Sequence, residues 1–479
     1  VLGISSASAH EAFFPFQVAL LLEYYEVDHD ALPPLLSNYQ SDPDAKGLLA
    51  ELQDMEKNGK SRLMESTYVV TPSGQRAKIE SIREYLYPTE FDPPEVPQKL
   101  SGPIDRDAKV TTPANPTAYE MRPVGNTLEV DPVITVDGEY VELNIALELV
   151  EFHGMTEWGT DESVSAMPLF HRLKSSTSIM IKFGGTELLG VHTPWSAHGK
   201  KGEGKRVLAI LTVFKLTSAS KADFEAYGKD PEKWVKMNFK VEDDARSEAV
   251  DDPFEKGAGD VVPEVPRQVT VITEFIEVDA GMASRIARQL NGCADATQIR
   301  RRLEGPIKSG DVRLLEISSE ITRSGQRTKG ESSREFIYPS EYDPTEIPQT
   351  LTGPIDPGLD LMTSQGATSF VMRQIGCTVE MDPVVSRDGR IVELAFGPEV
   401  VQHKGSVFHG KGTNRAEQPL FETLKLSTTA RVADGTSMLL GIHSLETARA
   451  AKIATDEERK AVRDRRVLVF VTAKIKTLK

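Results

Sequence analysis

The chain has 479 residues, 39% of them hydrophobic and 27% charged, with a formal net charge of -16. It has no run of about 18 or more apolar residues, which excludes a membrane-spanning helix. The acidic balance argues against a nucleic-acid partner, since phosphate binding needs a concentrated basic face.

Val1 to Ala9 reads VLGISSASA and ends in Ala7-Ser8-Ala9. It looks like the tail of a secretory signal peptide, whose cleavage site takes small residues at alternate positions. An Ala/Ser-rich disordered terminus is the other reading, so residues 1–16 stand apart from the fold. Val18 to Val27 (VALLLEYYEV) predicts a strand rich in β-branched and aromatic residues. A helix follows, with Asp42 as N-cap, Pro43 in its first turn, Leu48, Leu49, Leu52 and Met55 on one face and Gly59 as a stop. Ser61 to Val70 and the Ser73-Gly74 turn predict a hairpin.

Tyr87 to Pro103 carries prolines at 88, 93, 94, 97 and 103. Proline lacks a backbone donor, so this segment predicts an extended connector outside any sheet ladder. Thr127 to Val136 and Glu139 to Leu147 flank Asp137-Gly138, a dipeptide suited to a tight hairpin turn. Ser178 to Leu189 and Val207 to Leu216 predict two further strands. Residues 217–267 are charged and read as a solvated linker.

The pattern then repeats. Sliding the chain against itself by 251 residues matches 22 of the 33 positions from Ser73 to Asp105 with Ser324 to Asp356. The strand Val269 to Val278, a helix from near Asp295 through Ile299 and Leu303 to Gly305-Pro306, the proline segment Tyr338 to Pro354, the turn Asp388-Gly389 and the strands Ala430 to Leu440 and Val467 to Ile475 take the corresponding places. The period is that of a domain rather than of a solenoid repeat. The predicted fold is mainly β (α+β), with two tandem homologous β-rich domains at 17–216 and 268–479, each with one or two helices.

Four motifs, each present twice, resemble the β-domain of bacterial secretins, the outer-membrane ring proteins of type II and type III secretion systems. They are the opening strands VALLLEYYEV and VTVITEFIEV, the glycine hairpins VGNTLEVDPVITVDG and IGCTVEMDPVVSRDG, the Ser/Thr-rich strands SSTSIMIKFGGTELLG and LSTTARVADGTSMLLG, and the closing strands RVLAILTVF and RVLVFVTAKI. The resemblance implies a non-enzymatic, ring-forming protein of the cell envelope, located in the periplasm or outer membrane. It would serve protein secretion or envelope assembly, with itself or other envelope proteins as partners. The segments between the last two strands, from His192 to Lys205 and from His443 to Arg465, are charged where secretins carry an apolar lip. Membrane contact is therefore left open, and a secreted or periplasmic β-rich binding or surface-structural protein without a pore is the alternative.

No catalytic motif emerges. Gly59-Lys60-Ser61 has Asp54 where a phosphate loop needs glycine, and His10-Glu11 lacks the second histidine of a zinc protease. No catalytic, cofactor-binding or metal-ligating residue and no cofactor is assigned. Cys293 and Cys377 read as unpaired thiols, with a single bridge as the other option. His192/His443, the one histidine pair retained at the offset, reads as hydrogen-bonded and structural. One of Glu23 and Glu26, and one of Glu274 and Glu277, is expected to face inward and meet an arginine such as Arg76/Arg327 or Arg83/Arg334. Glu90 and Asp92 beside Tyr87-Pro88, with Glu341 and Asp343 beside Tyr338-Pro339, read as turn-capping acids, a divalent-cation site being the other reading.

Overall fold

The computed structural model describes residues 16–40, 44–105, 107–159, 163–194, 204–217, 267–290, 293–356, 361–386, 389–410, 415–445 and 465–477. The first half contributes β1 (Phe16–Asp28), a 3-10 turn (His29–Ala31), α1 (Leu32–Gln40), α2 (Lys46–Lys57), β2 (Ser61–Pro72), β3 (Ala77–Asp92), β4 (Lys99–Ser101), β5 (Asn115–Ile134), β6 (Tyr140–Trp158), β7 (Ser165–Lys182), β8 (Thr186–His192) and β9 (Lys205–Thr217). The second half contributes β10 (Arg267–Asp279), α3 (Ala280–Leu290), α4 (Thr297–Arg302), α5 (Glu304–Ser309), β11 (Arg313–Arg323), β12 (Thr328–Asp343), β13 (Thr350–Thr352), β14 (Gly366–Val385), β15 (Ile391–His409), β16 (Ala416–Ala433), β17 (Ser437–Ser444) and β18 (Arg465–Thr477). The chain is mainly β, as its composition and alternation predict.

The strands form two eight-stranded sheets. One, the inner sheet, runs β11-β10-β18-β17-β2-β1-β9-β8; the other, the outer sheet, runs β12-β14-β15-β16-β3-β5-β6-β7. Burial separates their roles. β1 is apolar almost throughout and buried from Phe16 to Tyr25, because the outer sheet covers one of its faces and helices cover the other. Tyr25 and Val27 on β1, with Leu208 and Ile210 on β9, pack against Leu35 of α1 and Leu48, Leu49 and Leu52 of α2. β6 instead alternates: Val141, Leu143, Ile145 and Leu147 are buried while Tyr140, Glu142 and Asn144 are exposed, so the outer sheet has one covered and one open face. The resulting order is helices, inner sheet, outer sheet.

The Ser73-Gly74 turn is not a hairpin. β2 and β3 lie in different sheets, and the turn carries the chain between them, with Gly74 at φ 74 donating its N–H to the Pro132 carbonyl at 2.7 Å. The expected strand Ser178 to Leu189 is likewise divided, because Phe183 to Gly185 form a corner from the outer sheet (β7) to the inner sheet (β8). Ala430 to Leu440 breaks in the same way between β16 and β17. Alternation along a strand tells which face is buried and leaves its sheet undetermined. The proline segment also departs from expectation, since β3 continues through Pro88 to Asp92 against β5, absorbing the proline in register shifts on either side of Glu90.

Asp42 and Pro43 lie outside the described residues, as do Val1 to Ala9, Asp388, residues 218–266 and most of the two segments that replace a lip. The α2 start is held by Asp44, whose Oδ1 accepts from the N–H groups of Lys46 and Thr186 at 3.0 and 3.1 Å. Gly59 ends it with φ 68. In the second half Asp295 accepts from the Thr297 N–H at 2.9 Å, as an N-cap would, but the helical path does not stop at Gly305-Pro306; both lie inside α5. Helices α1 and α3 were not expected. Among the described residues no helix is long and apolar enough to cross a membrane.

Candidate assembly interface

The two halves meet by extending each other's sheets. In the inner sheet β17 pairs with β2 at Gly441↔Val69 and Ile442↔Tyr68; in the outer sheet β16 pairs with β3 from Phe421↔Glu84 to Ser427↔Lys78. Polar groups enclosed by this seam find partners across it. Arg466 is fully buried, donating from Nε to the Ser66 hydroxyl at 2.9 Å and from a terminal nitrogen to the Met64 carbonyl at 3.2 Å. Glu84 receives Arg373 through two bonds of 2.6 and 3.0 Å and the Thr423 hydroxyl at 3.0 Å. Arg83 faces Glu422 at 3.9 Å with both side chains buried. Charges enclosed in this way are tolerable only when paired.

Histidines lie along the same seam. His443 Nδ1 is 3.1 Å from the Ser81 hydroxyl, and complete burial pulls its pKa down to about 3. His409 reaches the Leu86 carbonyl at 3.1 Å, and burial lowers it to about 4. Both are held neutral in the physiological range.

At one end the halves converge. β4 and β13 pair in parallel as Lys99↔Thr350, Leu100↔Leu351 and Ser101↔Thr352, with Ile104 bridging Ile355; every pair joins residues 251 apart. Equivalent strands elsewhere, such as β1 and β10, are four ladder steps apart, about 19 Å. Points 251 residues apart thus close from about 19 Å to about 5 Å, so the two halves splay from this end. The backbones are tight here, because a Cβ on Gly102 would stand 2.9 Å from the Gly353 nitrogen. Nearby, β12 touches β5 at Glu341↔Ala118, closing the narrow end of the outer sheet.

Among the described residues each sheet keeps two outer edges, interrupted in the outer sheet only by the single β12–β5 bridge. β8 and β7 end the first half; β11 and β12 end the second. Under the offset of 251, β8 corresponds to β17, β7 to β16, β11 to β2 and β12 to β3, the four strands of the internal seam. The outer edges of one molecule are therefore complementary in type to one another. Ile317, Ile321 and Ile337 are 56%, 57% and 65% exposed, whereas Ser66, Val70 and Leu86 at the matching seam positions are buried. Unpaired strand edges carrying exposed isoleucine invite pairing with another chain.

The predicted site residues distribute unevenly. Glu23 is buried and pairs with Arg288 of α3 at 2.7 Å, across the halves, while Glu274 pairs with Arg300 of α4. Inward glutamates are thus present, but the partners come from helices, whereas Arg76 lies near Glu129 at 3.2 Å. Glu26 meets Arg62 at 3.3 Å and Glu277 meets Arg465 at 3.6 Å nearer the surface. Cys293 and Cys377 form no disulfide, and burial raises Cys377 to about 12. Glu90 and Asp92 join no metal-competent cluster among the described residues. One such cluster involves Glu151, His153 and His171, none of which stood out in sequence.

Fold and seam together define a helix-covered, two-sheet β protein whose halves are joined strand to strand in both sheets. No family model matches the chain, and no curated protein matches it. Among solved structures it is similar to the secretin complex AspS-GspD of ETEC, at 13% identity and TM-score 0.21, covering 60% of this chain and 57% of that one. It is also similar to the InvG secretin-domain β-barrel of the Salmonella SPI-1 injectisome, at 10% identity and TM-score 0.23, covering 69% and 88%. A third likeness is to the V. cholerae type IV competence pilus secretin PilQ, at 12% identity and TM-score 0.19, covering 60% and 69%. The chain spans less than two thirds of the ETEC chain it matches.

Proposed function

We propose that the chain is a non-enzymatic, secretin-like protein of the cell envelope, exported to the periplasm or outer membrane, that serves protein secretion or envelope assembly by associating with further copies of itself or with other envelope proteins. On this reading residues 17–216 and 268–479 are two tandem secretin-like units, and the seam between them is a subunit contact made inside one chain. The four duplicated motifs support the class. The observation that carries the assembly is the edge topology: β7 and β8 of one copy can add to β12 and β11 of the next by the rule that joins β16 and β17 to β3 and β2. Such a head-to-tail contact closes into a ring when its rotation allows.

The alternative, a β-rich binding or surface-structural protein without a pore, draws support from the β12–β5 bridge, since one end of the outer sheet is already closed within a single chain. Light scattering across a concentration series, with negative-stain microscopy, separates the two. Discrete closed oligomers are expected. A monomer at every concentration would overturn the assembly reading and favour the alternative.

A further inference from the structure

Strand β6 places Glu151 and His153 two residues apart, and β7 sets His171 directly opposite Glu151. A register shift between Phe152 and Met155, with Gly154 at φ 113, interrupts the ladder beside His153. Bulges of this kind re-aim side chains. Here one ligand atom from each of Glu151, His153 and His171 lies within 4.8 Å of the others. His153 Nε2 is 3.5 Å from Glu151 Oε2, and the two imidazole rings stand 5.7 Å apart at 77°. Nε2 of His153 and Nδ1 of His171 are buried and make no hydrogen bond. Two buried ring nitrogens without a hydrogen bond, one of them 3.5 Å from a carboxylate oxygen, require an explanation.

The second half supplies one. At the positions 251 residues on stand Gln402, Lys404 and Glu422. Lys404 Nζ donates to Gln402 Oε1 at 2.7 Å and pairs with Glu422 Oε2 at 2.7 Å. A covalently held cation therefore occupies this place in the second half. In the first half the lysine is replaced by His153, and the position is surrounded by lone-pair donors.

We propose that Glu151, His153 and His171 form a binding site for a divalent transition-metal ion, with zinc the best fit. Two imidazoles and one carboxylate are the donors zinc accepts, whereas calcium and magnesium prefer all-oxygen sets. Tetrahedral ligands around zinc lie about 3.4 Å apart, so the present spread closes with side-chain movements of about 1 Å. A fourth position remains open. His192, at the end of β8, is within electrostatic reach of His171 and is a further, half-buried imidazole whose Nε2 has no hydrogen-bond partner.

The test is isothermal titration of the metal-free, full-length protein with zinc chloride, alongside H153K/H171E, which installs the ion pair used by the second half. The wild-type chain is expected to bind one zinc ion and the variant to lose that binding with an unchanged circular dichroism spectrum. Should the double variant fail to fold, H153Q provides the same comparison through a neutral side chain. Absence of zinc binding by the wild type, or wild-type affinity in a folded variant, would overturn the proposal.

Discussion

The internal seam and the outer edges use corresponding strands in opposite circumstances. At the seam, Ser66, Val70 and Leu86 are covered by the other half; at the edges, Ile317, Ile321 and Ile337 occupy the same places and face outward. Polar groups differ as well. Glu84 is enclosed by Arg373 and Thr423, whereas its counterpart Glu335 is exposed. Pairing, more than strand identity, decides whether a residue in this fold is core or surface.

The largest effect is expected from breaking the edges themselves. I317K/I321K places charge on β11 and is expected to abolish self-association in light scattering while leaving the melting temperature unchanged; association at the wild-type level would remove β11 from the contact. Next, E84A is expected to destabilise the chain by about 3 kcal/mol, because it strands Arg373 in a partly buried site. E335A, at the equivalent exposed position, should stay within about 0.5 kcal/mol. Equal urea midpoints for these two variants would contradict the contrast between seam and edge.

Protonation sharpens the comparison further. His443 is buried neutral with a folded pKa of about 3 against an ordinary 6.5, so its unfolded form takes up the proton first as pH falls. Its contribution to stability is complete above about pH 6.5 and drains away as pH falls toward about 3. H443Q should flatten that part of the stability profile, and an unchanged profile would show that other groups govern it. The smallest effect is expected from E26Q, whose pair with Arg62 is 43% exposed on the arginine side, so denaturation should shift by no more than about 1 kcal/mol. A larger shift would place Glu26 in the core.

Strands β1, β9, β10 and β18 were legible almost to their ends, because apolar runs covered on both faces leave a strong local signal. Helix α3 was legible too and was missed: Ala283, Ile286, Ala287 and Leu290 fall on one helical stripe and are all buried. Sheet membership was not legible, since the turns at Ser73-Gly74 and Gly184-Gly185 look local and are crossings between layers. The metal-competent cluster was hidden for another reason. Retention at the offset of 251 points to His192/His443, whereas His153 and His171 differ from Lys404 and Glu422, and only the β6–β7 register brings them together. Comparing what the halves do not share was the available signal.

The covalent seam has a consequence for variation. A ring of identical single-unit subunits has one kind of contact, and each substitution in it appears at every junction at once. An assembly of chains that each carry both halves would have two kinds of junction, one enclosed and one external, with separate residues in each. Arg83 and Glu422 can remain matched inside the molecule while Arg334 and His171, their counterparts on the outer edges, change independently. In such an assembly tethering would convert one repeated surface into two that respond separately to mutation.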